Sequence, residues 1–253
     1  MLFAHGYGCD QNMWRFLASE FSRDHRVVLF DHVGAGKSDI AQYRREKYET
    51  LEGYADDVLE IIEAVGGAPT IFVGHSVSAM IGVLAASKQP ATFEQLILIG
   101  PSPCYINCDD YVGGFSKSDI EGLIQTLDSN YLGWSSAMAP AIMGNSNRPE
   151  LAAELKESFC RTDPEIAKHF ARVTFLSDNR RDLSYVQTPS LILQCSEDVI
   201  APECVGDFVR RHLAGSTLVQ LQATGHCPHL SAPEETIAAI RAYLSEHHEQ
   251  GQV

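Results

Sequence analysis

No stretch of this sequence is apolar for long enough to cross a bilayer, and its first residues show no basic region leading into an apolar one. Positive charge is scarce: 19 Lys and Arg stand against 33 Asp and Glu, a formal net charge of -14. Such a surface repels phosphate backbones, anionic lipid and anionic substrates, so roles on nucleic acid or at a membrane are not expected. The seven cysteines (Cys9, Cys104, Cys108, Cys160, Cys195, Cys204 and Cys227) form no C-x-x-C, and no His/Cys group has zinc-finger spacing. They read as core thiols of a reducing, cytoplasmic compartment, and neither metal nor cofactor is expected. Cys227 adjoins His226, but a cysteine nucleophile would need a base of its own, and none is apparent. Repeats and low-complexity segments are also lacking. What is there is 253 residues, 45% hydrophobic and 21% charged, enough apolar content for one sizeable core.

Short apolar runs alternate with helical patterns. The runs are Met1–Ala4, Arg26–Asp31 (RVVLFD), Thr70–Gly74 (TIFVG), Glu94–Gly100 (EQLILIG), Ser190–Cys195 (SLILQC) and Thr217–Gln222 (TLVQLQ). Continuous runs of this length suit strands buried on both faces, joined by parallel crossovers. Leu51–Val65 and Pro233–His247 read as amphipathic helices with acidic residues near their starts, where the helix dipole favours them. From Tyr105 to about Ser184 the alternation stops. Helices are predicted at Ser118–Ser129, Leu132–Met143, Arg148–Phe159 and Pro164–Leu176, an insertion too long for a crossover and read as a lid over one end of the sheet. The expected organisation is a core of 1–104 and 185–253 with a lid of 105–184. A polar tail, Glu249–Val253, is expected to fray.

Gly74-His75-Ser76-Val77-Ser78 sits where a strand meets an Ala-rich helix. A nucleophile there occupies a sharp, strained turn, so its neighbours must be small; the usual pattern is G-x-S-x-G, and Ser78 replaces the last glycine. A serine hydroxyl attacks only when an imidazole takes its proton. His226, in ATGHCPH, follows the last predicted strand, and Asp198, in CSEDVIAP, follows the strand before it. Parallel strands bring those C-terminal ends together, and the order Ser76, Asp198, His226 is that of one fold. His229 is the alternative base. Glu197 is the alternative acid, but alternation at a strand end sends it the other way from Asp198. His75 is expected to be structural. The glycines of His5-Gly6-Tyr7-Gly8 allow a tight turn, so that the N–H groups of Tyr7 and Val77 would form an oxyanion hole. Asp31–Ser38 (DHVGAGKS) imitates a phosphate-binding loop but has Asp31 where the motif needs its first glycine, and reads as a tight loop.

HGYG, DHVGAGKSD, GHSVSAMIG, GPSPCYIN, Asp198 and GHCPHLSAPEET together resemble the α/β-hydrolase superfamily, and within it the RsbQ-like branch that includes the plant karrikin and strigolactone receptors. The resemblance covers nearly the whole chain. It implies a mostly parallel six-stranded sheet, a V-shaped four-helix lid, and a serine triad of Ser76, Asp198 and His226. It also implies a narrow apolar pocket lined by Tyr7, Tyr105, Phe115, Trp134, Met138 and Phe175. Tyr7 stands where phenylalanine is usual and brings a hydroxyl to satisfy; Met138 replaces a bulkier aromatic and would enlarge the cavity. The family also has two strands before the one ending in His5-Gly6, whereas only Met1–Ala4 precede it here. A gene start set too late and a lost N-terminal hairpin both explain this, and loss would leave RVVLFD as an exposed edge.

Two functions follow from the resemblance. One is a hydrolase of EC 3.1 type acting on small apolar esters, lactones or enol ethers through an acyl-enzyme. The other is an RsbQ-like stress-pathway receptor that binds and slowly hydrolyses a small hydrophobic ligand, with a phosphatase-type partner, as monomer or homodimer. Perhydrolysis and C–C cleavage use the same triad. Epoxide and haloalkane hydrolysis need an aspartate nucleophile, which Ser76 excludes.

Overall fold

The β-branched runs do form parallel strands. The computed structural model describes residues 1–250, and its sheet comprises β1 (Leu2–Ala4), β2 (Val28–Leu29), β3 (Thr70–His75), β4 (Phe93–Ile99), β5 (Ser190–Ser196) and β6 (Ser216–Thr224). Every ladder is parallel, in the order β2-β1-β3-β4-β5-β6. Alternate side chains leave opposite faces. Phe72, Leu96, Leu98 and Ile192 join a core under α2 (Leu51–Ala64) and α3 (Val77–Lys88). Ile71, Val73, Ile97, Ile99, Leu191 and Leu193 join another under α1 (Arg15–Phe21) and α10 (Pro233–Gln250). Covered on both faces, the central strands can be apolar throughout. The edges differ: β6 is mostly half-exposed, and β2 is only two residues long.

That short edge corrects the reading of Arg26–Asp31 as one strand. β1 presents only three residues, and Leu2 and Phe3 pair with Val28 and Leu29. Just beyond, the Asp31 carboxylate accepts the Gln11 N–H at 2.8 Å, the Gln11 Nε2 at 2.9 Å and the Lys37 N–H at 2.8 Å. These bonds fold DHVGAGKS into a loop clasped to the chain after β1. Three short helices escape sequence periodicity, α1, α8 (Glu203–His212) and α9 (Pro228–Ser231). Of the tail 249–253, residues 249 and 250 belong to α10, and 251–253 lie outside the described residues.

Between β4 and β5 the chain leaves the sheet for four helices, each within two residues of its expected bounds: α4 (Lys117–Ser129), α5 (Tyr131–Met143), α6 (Pro149–Arg161) and α7 (Pro164–Phe175). Their starts are chemically marked. Ser116 and Asp119 form a capping box, Asn130 accepts the Gly133 N–H, and Pro164 follows the capping Asp163. The insertion's two ends meet where Cys104 bridges Asp178 and the Asn179 N–H donates to the Pro103 carbonyl at 2.7 Å. Arg15–Glu154 at 2.6 Å and Arg161–Asp10 at 2.8 Å tie α6 to the chain after β1. Among the described residues no helix is long and apolar enough to cross a membrane.

Candidate active site

Ser76 sits between the last residue of β3 and the first of α3, with φ 58° and ψ -123°. A non-glycine residue held there costs on the order of 1–3 kcal/mol, so its surroundings must hold it. Its N–H donates to the Ile99 carbonyl at 2.8 Å. Ser78, at the position usually glycine, is fully buried; its Oγ donates to the His5 carbonyl at 2.5 Å and accepts the His32 Nε2–H at 2.8 Å. The serine therefore stitches the elbow to the loop that follows β1.

The loop after β6 carries His226, whose Nε2 lies 2.8 Å from Ser76 Oγ. Its Nδ1 lies 2.7 Å from Asp198 Oδ2. A carboxylate accepts only, so Nδ1 bears the proton and Nε2 is free to accept from the serine. Asp198 Oδ1 accepts the N–H groups of Ile200 at 2.9 Å and Ala201 at 3.1 Å, which fix the carboxylate. All three residues are buried. The structure thus brings Ser76, His226 and Asp198 into one hydrogen-bonded chain.

The alternatives lie elsewhere. Glu197 has φ 52° and is exposed; this left-handed turn, more than strand alternation, sends Asp198 inward. His229 is wedged between Trp14 and His75, at 4.6 and 4.5 Å between ring centroids, and bonds neither Ser76 nor Asp198. Burial pushes its imidazole down to about 3, helped by His226 and Arg15 nearby. His75 is also buried and held well below the ordinary histidine range, chiefly by desolvation; its Nε2–H donates to the His226 carbonyl at 2.8 Å. It supports the backbone of that loop.

Val77 opens α3, so its N–H has no partner within the helix and points where anions are favoured. Tyr7 is buried, and its ring has Phe159, Phe170, Trp134 and Phe175 around it at 5.8 to 6.1 Å between centroids. The extra hydroxyl is satisfied: it donates to the Ala167 carbonyl in α7 at 3.1 Å.

Over Ser76 lies a cavity of about 30 Å³, room for about two waters. Tyr7, Tyr105 and Phe175 line it. Phe115, Trp134 and Met138 do not. Phe115 is pinned by backbone hydrogen bonds to Tyr105 and Asn107, Trp134 stands behind Tyr7 and Phe159, and Met138 is only half-buried at the core's margin. The methionine therefore does not enlarge this cavity. Besides Ser76, His226 and His75, its remaining wall comes from Cys9, Ile142, Leu155, Phe159, Thr174, Ile200 and Cys227, none of which the sequence singles out as lining. Gly8, at φ 71°, shows one cause: a Cβ there would sit 1.8 Å from the Phe159 ring, which packs against its Cα. The apolar spacing of Leu155 and Phe159 on α6 was the available signal. Roomier clefts, such as one of about 520 Å³ between α7 and residues 45–52, contain none of the three linked residues.

A family model described as "Alpha/beta hydrolase family" matches residues 1–239. The chain belongs to that family. This α/β hydrolase is 38% identical to "Karrikin insensitive 2 receptor IA" of Petunia hybrida over 97% of its own length and 90% of the relative's. It is also 38% identical to "Strigolactone esterase D14" of Arabidopsis thaliana, over 96% and 91% of the two chains. Among solved structures, a hydrolase from Oleispira antarctica superposes with a TM-score of 0.94 at 42% identity, covering 96% of this chain and 90% of that one. The enol-lactonase from Burkholderia xenovorans, at 20% identity and a TM-score of 0.84, shares the fold.

Proposed function

We propose that this α/β hydrolase cleaves small apolar esters, lactones or enol ethers by serine catalysis. The observation that carries the reading is the chain of hydrogen bonds from Ser76 through His226 to Asp198, at 2.8 and 2.7 Å. As Ser76 Oγ attacks an ester carbonyl, its proton passes to His226 Nε2, and Asp198 stabilises the imidazolium without taking the proton. The oxyanion forms against the N–H groups of Tyr7 and Val77. His226 then protonates the leaving alkoxide. A water replaces it, gives a proton to His226 and attacks the acyl-Ser76; as the tetrahedral intermediate collapses, His226 returns that proton to Ser76 Oγ and the acid leaves. Residues 105–184 act as a lid over the core of 1–104 and 185–253, and the apolar faces of its helices exclude water from the acyl group. A cavity this small, without a charged wall, favours a neutral, compact acyl group. Seven unpaired thiols fit the reducing cytoplasm. Ser76→Ala is expected to abolish p-nitrophenyl acetate turnover while circular dichroism stays unchanged; retained turnover would sink the assignment.

A second reading has support from the relatives named as receptors. In it the same site binds and slowly hydrolyses a small hydrophobic ligand, and the occupied lid recruits a phosphatase-type signalling partner. Capture of a partner that strengthens with ligand would favour it. Full turnover with no ligand-dependent partner would count against it.

A further inference from the structure

We propose that Asn145, in the turn between α5 and α6, is a positioning residue for His226; the inference rests on the reading of His226 as the general base. His226 hangs from a loop that enters through Gly225 at φ 79°, a residue with little stiffness of its own. The insertion supplies the stiffness. The His226 N–H donates to the Ile142 carbonyl at 2.8 Å, at the end of α5. Asn145 Nδ2 donates to the Thr224 carbonyl and to the Met143 carbonyl, both at 3.0 Å, so one amide spans the two backbones. Its orientation is fixed from the other side, because Arg148 donates to Asn145 Oδ1 at 2.9 Å and to the Ser231 carbonyl at 2.7 Å. An acceptor facing the guanidinium leaves the NH₂ to face the carbonyls.

The backbones also touch directly. A Cβ on Gly225 would sit 2.1 Å from the Met143 carbonyl oxygen, and one on Gly144 would lie 3.2 Å from Gly225 Cα. Gly144 at φ 60° and Asn145 at φ 53° make two successive left-handed residues, a conformation that glycine and asparagine adopt most readily. The turn is thus shaped to put one side-chain amide two residues before the base. Together with the His75 bond to the His226 carbonyl, it holds the loop on both sides of the imidazole. This corner of the insertion moves with the base, so its displacement pulls His226 Nε2 away from Ser76.

The test is Asn145→Gly, which keeps the left-handed backbone and removes only the amide, beside Asn145→Asp, which puts an acceptor where a donor is needed. A misplacement of about 1 Å costs up to roughly 10²-fold in rate. On p-nitrophenyl acetate kcat should fall about 10-fold or more in both variants while KM stays within about twofold. His226 serves acylation and deacylation, so stopped-flow should show both steps slowed. In Asn145→Gly, which adds no charge, a loosened Asp198–His226 contact stabilises the imidazolium less, so the pH midpoint of kcat/KM should move to lower pH. A merely structural loss would reduce the amount of active enzyme without moving that midpoint. The proposal is overturned if folded Asn145→Gly keeps kcat and midpoint, or if Asn145→Gly fails to fold. Ser76→Ala, run alongside, separates the two claims: turnover retained there defeats the serine mechanism, whereas an inactive Ser76→Ala with a parent-like Asn145→Gly defeats the positioning role alone.

Discussion

Replacing Phe159 by alanine should change which esters the enzyme accepts. The Phe159 side chain is 1% exposed, lies against Gly8, and packs against Tyr7 and Trp134 with centroids at 5.8 and 5.3 Å. It closes one side of a cavity of only about 30 Å³, which accommodates an acetyl group far better than a longer chain. Truncation to alanine opens that side toward α6. A hexanoyl group has four more methylenes than an acetyl group, each worth about 0.8 kcal/mol when buried, or about 3 kcal/mol in all. That corresponds to roughly a 10²-fold rise in the hexanoate-to-acetate ratio of kcat/KM. Stability should fall by about 3–5 kcal/mol, the usual cost of emptying a phenylalanine site, read from urea unfolding. Phe159→Leu, a smaller truncation, should move both quantities in the same direction by less. The assay is the ratio of p-nitrophenyl hexanoate to p-nitrophenyl acetate turnover in each variant. A ratio unchanged within about threefold in folded protein, against the roughly 10²-fold expected, would refute the placement of the acyl chain against Phe159.

Asp198→Asn should retain the fold, since an amide oxygen can still accept the Ile200 and Ala201 N–H groups, yet lower kcat by on the order of 10⁴ through the wrong His226 tautomer. Loss of less than about tenfold on p-nitrophenyl acetate would contradict the assigned role. Tyr7→Phe removes the hydroxyl bonded to the Ala167 carbonyl and should lower stability by about 1 kcal/mol in urea unfolding; an unchanged midpoint would show the tether contributes nothing. Burial depresses the imidazoles of His5, His32, His75 and His229, the last to about 3, so between there and the ordinary 6.5 the unfolded chain binds more protons than the folded one. Their contribution is full above 6.5 and is lost as pH falls toward 3, amounting to several kcal/mol by linkage. Equal urea midpoints at pH 7 and about pH 5 would contradict this sign.

Features written in local chemistry were legible in the sequence. Central strands covered on both faces appear as unbroken apolar runs, and three of the four inserted helices carry their own caps, at Ser116, Asn130 and Asp163. Ser76, Asp198 and His226 could be singled out because each follows a strand, and parallel strands bring such ends together. Asp31 shows the limit. Its three acceptor bonds reach Gln11 and Lys37, and nothing within RVVLFD says that the last residue serves a loop and leaves the ladder.

What the sequence by itself determined is therefore the order of the strands and of the longer helices, together with candidate residues for serine chemistry, because periodicity, capping and strand-end position are properties of short segments. Only the tertiary structure decided which side chains border Ser76. Leu155 and Phe159 mark an apolar face on α6, but whether that face meets the cavity or the core depends on how α6 packs, and the same uncertainty misplaces Trp134 and Met138 on α5. The hold on His226 is likewise tertiary. Ile142, Asn145 and Thr224 come from segments about 80 residues apart, and their hydrogen bonds form only when the insertion lies against the loop after β6.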